Sequence, residues 1–311
     1  MEKVSKLQFE ARIERVSWSA SSVICSAIRK RVFVDEQGIP ESVELDNLDE
    51  TASHYLAIVE KKPVATARLL ADGRVGRIAV LSAYRNASIG SQLLEFIKHD
   101  AQKQGLPKLY LHSQADSINF YVRRGFTAMG ETFEEAGKLH QAMELMLDYR
   151  QFDDHIISAH YPEPAAQLIL NLCERAERRV KVFSDTLDHA LFDNKELAEC
   201  LSYLARGKRE SLVQLLITDS KPIQIKGHRL LELARKLPSS VQLHTTRVPE
   251  ALSGKLLVIA DHYGVAYMHN VNHPKLRFEP DDRPLCTRMN DAFERVWQRS
   301  EGDPNLRILD I

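Results

Sequence analysis

Apolar positions along the chain repeat with two periods, and the alternation between them outlines an α/β protein. Phe9, Ala11 and Ile13 alternate with polar neighbours, Val16 less regularly, which predicts a first strand. Ser19 stands where a helix cap belongs, ahead of Val23, Ala27, Ile28 and Arg31. Stretches 54–60 and 64–70 read as paired strands around Lys61-Lys62-Pro63. Strand 76–81 then feeds a small-residue turn. After that turn Ile89, Leu93, Leu94, Ile97 and Ala101 recur at helical spacing until Gly105-Leu106-Pro107 stops them. Strand 108–112, a short helix 117–124 closed by Gly125, and a β pair at 126–133 and 139–147 complete the first half.

The pattern breaks at 151–164, where Asp153-Asp154, Tyr161-Pro162 and Pro164 make a polar, proline-bearing crossing. A second α/β run follows. It predicts helices at 165–178, 195–206, 226–236 and 288–299, with strands at 180–183, 212–218, 241–244, 255–259 and 265–268. The expected organisation is therefore a first domain over 1–150, a linker over 151–164 and a second domain over 165–311.

Length and charge narrow the function. At 311 residues the chain has room for two cores. Its 42 basic and 43 acidic residues give no global attraction to nucleic acid or membrane. Residues 155–311 hold 22 Lys and Arg against 21 Asp and Glu, so any pull on phosphate there must be local; Arg175–Arg179 and Arg206–Arg209 are the patches, and solvated helix ends explain them better. No apolar run nears the roughly 20 residues a membrane helix requires, and Met1–Lys6 lacks the apolar core of a secretory signal. Cys25, Cys173, Cys200 and Cys286 are scattered without metal-type spacing, so reduced thiols in a cytoplasmic protein and no metal are expected.

The chemistry concentrates at residues 77–94. Arg77-Ile78-Ala79-Val80 ends a strand, Tyr84-Arg85-Asn86-Ala87-Ser88-Ile89-Gly90 turns, and Ser91-Gln92-Leu93-Leu94 opens an amphipathic helix. Free backbone amides and the positive end of a helix dipole then share one place, which suits a phosphate and, best, the pyrophosphate of a nucleotide cofactor. Upstream lie Arg29–Pro40, Glu44, Asp46, Asp49 and His54; downstream lie Leu111-His112-Ser113-Gln114, Phe120-Tyr121, Arg124-Gly125-Phe126, Phe133–Gly137, His140 and Met143. These blocks, in this order over about 7–147, resemble the GNAT superfamily of acyl-CoA N-acyltransferases and its ElaA-like branch. The resemblance implies a mixed sheet flanked by helices. One position departs: the first glycine of the family's Arg/Gln-x-x-Gly-x-Gly/Ala turn is Ser88 here, a residue that offers a cap or a phosphate contact in place of conformational freedom.

By that resemblance, backbone of Ile78, Ala79 and Val80 pairs with the pantetheine arm, Gln114 bonds it, and Arg85, Asn86, Ala87, Ser88, Ile89, Gly90 and Ser91 hold the pyrophosphate of acetyl-CoA. Tyr121 matches the family tyrosine that protonates the leaving thiolate; packing beside Phe120 is the alternative. Transfer also requires a base that frees the amine of its proton, and Glu36, His112 and Glu135 stay open for that role. Asp46, Asp49 and His54 are candidates to shape a pocket for a cationic amine, or else form a solvated acidic loop. His140 and Met143 are read as architectural.

In the second half, Ser253–Asp261 with Gly264–Tyr267 behind it resembles a phospholipase D-like half-domain. That family's His-x-Lys-x-x-x-x-Asp motif supplies a histidine nucleophile. Here Ser253 and Ala260 replace the histidine and aspartate, and only Lys255 remains. Asp261 comes one residue late, which on a strand turns its side chain to the opposite face. The expected function is acyl transfer from acetyl-CoA to a small-molecule or peptide amine, with no phosphodiesterase activity and a homodimer through residues 155–311. The alternative is a non-catalytic acyl-CoA sensor or scaffold whose second domain binds a partner.

Overall fold

The computed structural model describes residues 10–44, 46–208, 210–247, 256–269, 274–303 and 306. Two compact units emerge, one ending at Leu147 and one beginning at Asp148, the second also taking Lys103–Gly105. No helix among the described residues is long and apolar enough to cross a membrane.

In the first unit the strands are β1 (Arg12–Val16), β2 (Ser53–Val59), β3 (Lys62–Leu69), β4 (Val75–Val80), β5 (Lys108–Gln114), β6 (Thr127–Glu135) and β7 (Lys138–Met146). Its helices are α1 (Trp18–Arg29), α2 (Glu41–Glu44), α3 (Ile89–Lys103) and α4 (Ile118–Val122). A π-helical stretch, Lys30–Glu36, extends α1. Strands β1-β2-β3-β4 form one antiparallel sheet and β5-β7-β6 another.

Alternation along β2 assigns the covering helices. Leu56 joins Cys25, Ile28 and Val32 of the α1 segment in one apolar cluster with Ala79. Its neighbour Tyr55 must point to the other face, where its ring meets Phe96 of α3 edge-on and its hydroxyl donates to Asp100. The buried stripe of α3 is the one the sequence periodicity outlined: Ile89, Leu93, Leu94, Ile97 and Ala101.

Polar chemistry holds the same unit together from inside. Three guanidinium groups, on Arg29, Arg68 and Arg77, meet three carboxylates, on Glu44, Asp46 and Asp49. Arg29 is 1% exposed and pairs with Glu44 through Nε and with Asp49 at 2.9 Å. Arg68 grips both Asp46 oxygens at 2.6 Å and Asp49 at 2.8 Å. Arg77 donates to the Glu44 carbonyl at 2.9 Å and to Asp46 at 3.0 Å. Burial opposes ionisation of Asp49, but hydrogen bonds from Arg29 and Arg68 hold its carboxyl below the usual range; Asp46 is held lower still, by Arg68 first. His54 is 1% exposed, stacks on Trp18 and bonds the Asp49 carbonyl at 2.8 Å. The cationic-amine pocket expected from Asp46, Asp49 and His54 is therefore corrected: the structure spends all three on arginines and packing.

The second unit has one eight-stranded mixed sheet. Its strands are β8 (Ile156–His160), β9 (Arg179–Ser184), β10 (Leu212–Ile217), β11 (Val241–Thr245), β12 (Leu256–Ala260), β13 (Gly264–Met268), β14 (Lys275–Glu279) and β15 (Glu301–Gly302). They lie in the order β15-β11-β10-β9-β12-β13-β14-β8, with β9, β10 and β11 parallel. Helices α5 (Ala165–Arg175), α6 (His189–Phe192), α7 (Lys195–Gly207), α8 (Lys221–Lys226), α9 (Arg229–Lys236) and α10 (Arg283–Trp297) complete it. Phe183, Leu257 and Tyr267 pack with Cys286 and Phe293 of α10 on one face. On the other, a Cβ on Gly264 would strike Leu172 of α5. Cover on both faces is why Leu256–Ala260 reads as an unbroken apolar run and Leu212–Ile217 is apolar at every position but Gln214.

Three expectations change here. The stretch 151–164, expected as a linker, contains β8, an edge strand of this sheet paired with β14; its short, bulged pairing leaves little alternation to read. Helix 226–236 begins only at Arg229, because Gly227 sits at φ 74 and His228 caps the new helix by accepting the Leu230 amide at Nδ1. The last helix begins at Arg283, five residues before the expected start, with Asp282 capping it.

Two measurements test this account. Arg29→Met strands buried carboxylates, so chemical denaturation is expected to show a loss of about 3–5 kcal/mol. His228 is 3% exposed, and burial pulls its pKa down to about 4, with Asp193 opposing and His189 assisting. Its unfolded value lies near 6.5, so the folded chain declines a proton that the unfolded chain takes. Stability is therefore intact above about pH 6.5 and falls as pH drops from there toward about 4, by up to about 3 kcal/mol from this group. His228→Asn, which keeps a capping acceptor, is expected to flatten that part of the pH profile of thermal unfolding.

Candidate active site

Strands β4 and β5 run parallel, share a single bridge between Arg74 and Tyr110, and then stop pairing. The bridge is tight: the Tyr110 amide donates to the Gly73 carbonyl at 3.0 Å, and a Cβ on Gly73, at φ 92, would run into the Lys108 carbonyl. Beyond it β4 pairs only with β3 and β5 only with β7. The facing edges of both strands are thus left without partners where the sheet opens. A bulge opposite Thr66 and Arg68, with Arg77 at φ 54, bends β4 at this point.

A cavity of about 220 Å³ occupies the opening. Gly76, Arg77 and Ile78 of β4, Leu111 to Gln114 of β5, Tyr121 of α4 and Gln37 line it, with Glu135 and Lys138 at the β6–β7 turn. Ile78, Gln114, His112 and Tyr121 thus line one cavity. Ala79, fully buried under α1, and Val80 are absent from the cavity wall.

Just past β4 lies the turn. Asn86 and Ser88 take φ 61 and 63, and the amides of Asn86, Ala87, Ser88, Ile89 and Gly90 donate to no backbone carbonyl among the described residues. The Ser88 carbonyl accepts from Ser91 and Gln92, both at 3.0 Å, and starts α3. Such consecutive unpaired amides at a helix start form an anion-binding concavity. A glycine would sit at Ser88 without strain; serine holds the same φ at a cost.

The charged residues differ from expectation. Arg85 donates to the Val80 carbonyl at 3.0 Å and pairs with Glu36. Arg85 is thus not turned to the amides, and Glu36, engaged as its counter-ion and absent from the cavity wall, is corrected as a base. The cation beside the turn is Arg124 instead, which bonds Ser91 Oγ and lies 3.7 Å over the Phe120 ring. The sequence marks Arg124 only as part of the Arg124-Gly125-Phe126 block and not as a partner of the turn, because only folding brings it to Ser91. Gln114 donates to Gln37 at 3.1 Å, so its amide is already committed.

Two cavity groups remain for proton transfer. His112 Nδ1 lies 2.8 Å from Glu135, and its ring packs edge-on against Phe133. With the carboxylate accepting from Nδ1, the neutral ring keeps a lone pair on Nε2. Tyr121 packs against Phe120 and Phe126, and burial pushes its hydroxyl up to about 12, with Arg124 opposing. The phenol is therefore protonated at neutral pH. Met143 is buried in the core, whereas His140, expected as architectural, is both: it lines the cavity and bonds the Lys138 carbonyl at 2.9 Å. No group of three or more His, Cys, Asp or Glu side chains placed to hold a metal occurs among the described residues.

Residues 19–147 match the acetyltransferase (GNAT) domain family. The uncharacterized N-acetyltransferase YjcF of Bacillus subtilis is 31% identical over 120 residues, covering 37% of this chain and 86% of YjcF. Escherichia coli ElaA is 32% identical over 124 residues, 37% of this chain and 81% of ElaA. The chain belongs to the GNAT acetyltransferase family. The crystal structure of Escherichia coli ElaA aligns at 28% identity and a TM-score of 0.40, over 44% of this chain and 99% of that one. Residues 161–309 match a domain of unknown function, DUF7931. A GNAT domain of this kind is a transferase, and its first unit is the part of this chain that carries the likeness.

Ser88→Gly tests the strained turn. Relief of the left-handed φ is expected to raise stability by about 0.5–1 kcal/mol, read as a higher midpoint in thermal unfolding.

Proposed function

We propose that the first unit transfers an acyl group, most simply acetyl, from acyl-CoA to the nitrogen of an amine. The observation that carries this reading is the parting of β4 from β5 beside a turn of unpaired amides. An extended pantetheine arm would add to the free edge at Ile78, Ala79 and Val80 as a strand adds to a sheet, and the amides of Asn86–Gly90, with Ser91 and Arg124 beside them, would hold the pyrophosphate.

In this reading His112 Nε2 takes the proton of the amine, held in register by Glu135 through Nδ1. The freed nitrogen bonds to the thioester carbonyl carbon, and the carbon–sulfur bond breaks. Tyr121 gives its proton to the departing thiolate, and the second proton shed by the acylated nitrogen restores the phenol, leaving a neutral amide and a thiol.

For the second unit we propose a phospholipase D-like half without phosphodiesterase activity, associating with a second copy of itself. Ser253 and Lys255 lie outside the described residues. Ala260 ends β12 fully buried, and Asp261 accepts the amides of Glu177, Arg178 and Arg179 at 2.7–3.0 Å, a loop clamp rather than a proton carrier.

Thiol release from acetyl-CoA across a panel of amines tests the transfer and separates it from a purely sensing role. Tyr121→Phe is expected to lower turnover by about 10- to 1000-fold with little change in acetyl-CoA affinity. Equal turnover in the folded variant would return Tyr121 to a packing role.

A further inference from the structure

The charges around the cavity do not cancel. Arg68 and Arg77 are neutralised by Glu44, Asp46 and Asp49. Glu135 is shared: it lies 2.8 Å from His112 and 3.9 Å from Arg74. Lys138 has only a neutral partner, donating to Gln37 Oε1 at 3.3 Å, and no carboxylate comes within 4.0 Å of it among the described residues. One deep donor is also idle, since Arg68 Nε is buried in the cavity wall without an acceptor.

We infer that the acceptor is a primary amine that carries a carboxylate, an amino acid or a close relative, recognised through Lys138 and Arg74. This rests on the transfer reading above and adds its substrate class. A carboxylate at Lys138 completes an ion pair that the folded protein leaves open, and Arg74 adds a second charge-assisted donor from across the opening. The same carboxylate would set the amine near His112, which lines the same cavity with Arg74 Nη2 3.4 Å from its Nδ1. A polyamine or other dication meets the opposite situation. Its second ammonium would face Lys138 and Arg74 with every carboxylate of the wall except Glu135 already paired. The size of the cavity, about 220 Å³, favours a small acceptor.

Matched pairs test this directly: phenylalanine with phenethylamine, histidine with histamine, arginine with agmatine, lysine with cadaverine. Each pair differs by one carboxylate. Thiol release would be measured for both members, together with calorimetric binding of each to the full chain saturated with acetyl-CoA. The amino acid of at least one pair is expected to show the higher kcat/KM. Lys138→Met is expected to lower that preference about tenfold or more, chiefly through KM, and Lys138→Arg to restore most of it. A preference for the decarboxylated member throughout, or a preference unmoved by Lys138→Met, overturns the proposal while leaving acyl transfer standing. Failure of every amino acid in the set to bind overturns it as well. Carboxylate-dependent binding without thiol release supports the recognition and instead sinks the transfer reading.

Discussion

Buried arginine–carboxylate pairing is the constraint on which the first unit's site depends. Arg29 comes from the first helix, Glu44, Asp46 and Asp49 from the segment after it, Arg68 from β3 and Arg77 from the bulge in β4. Each ion buried alone would carry a penalty of several kcal/mol, and only complete mutual pairing offsets it. Residues 41–44 and 46–49 are therefore held in one arrangement against the sheet. They can neither drift off nor exchange partners without leaving a charge unpaired. That fixes one wall of the cavity and the bent strand beneath it.

The consequence for function lies in what is left over. A wall whose own carboxylates are satisfied offers no free negative charge to an incoming cation, so the acidic residues that look like a substrate pocket in the sequence serve the protein instead. The groups with capacity to spare are of the opposite sign or are neutral: Lys138, Arg74, the His112–Glu135 pair and the Tyr121 hydroxyl. Backbone supplies the rest. One tight bridge at Gly73 and Tyr110 joins two sheets and then lets them part, so strand edges that would be bonded in a continuous sheet face a cavity.

In the second unit the same physics yields a different result. Its sheet is covered on both faces, and its polar side chains in the loops clamp backbone: Asp261 on three amides, His228, Asn194 and Asp282 on helix starts. These contacts stabilise an α/β layer by fixing its loops and helix starts.

Much of this was legible from the chain alone. Periodicity located α3, its buried stripe, the β2–β3 pair and most strands of both units, because residues on a covered face must be apolar at the period of their own element. Asn86, Ala87, Ser88 and Gly90 marked the turn ahead of α3, since few larger side chains tolerate that backbone. Tertiary structure decided the rest. The strand at 156–160 is short and bulged and gains its identity only from pairing with β14. Glu36 and Arg85 lie 49 positions apart, Arg124 and Ser91 lie 33 apart, and Asp46, Asp49 and Arg68 meet only once helix, loop and strand are packed. A charge in a sequence has no partner; the fold assigns one, and that assignment decides whether it holds the protein together or remains free to hold a substrate.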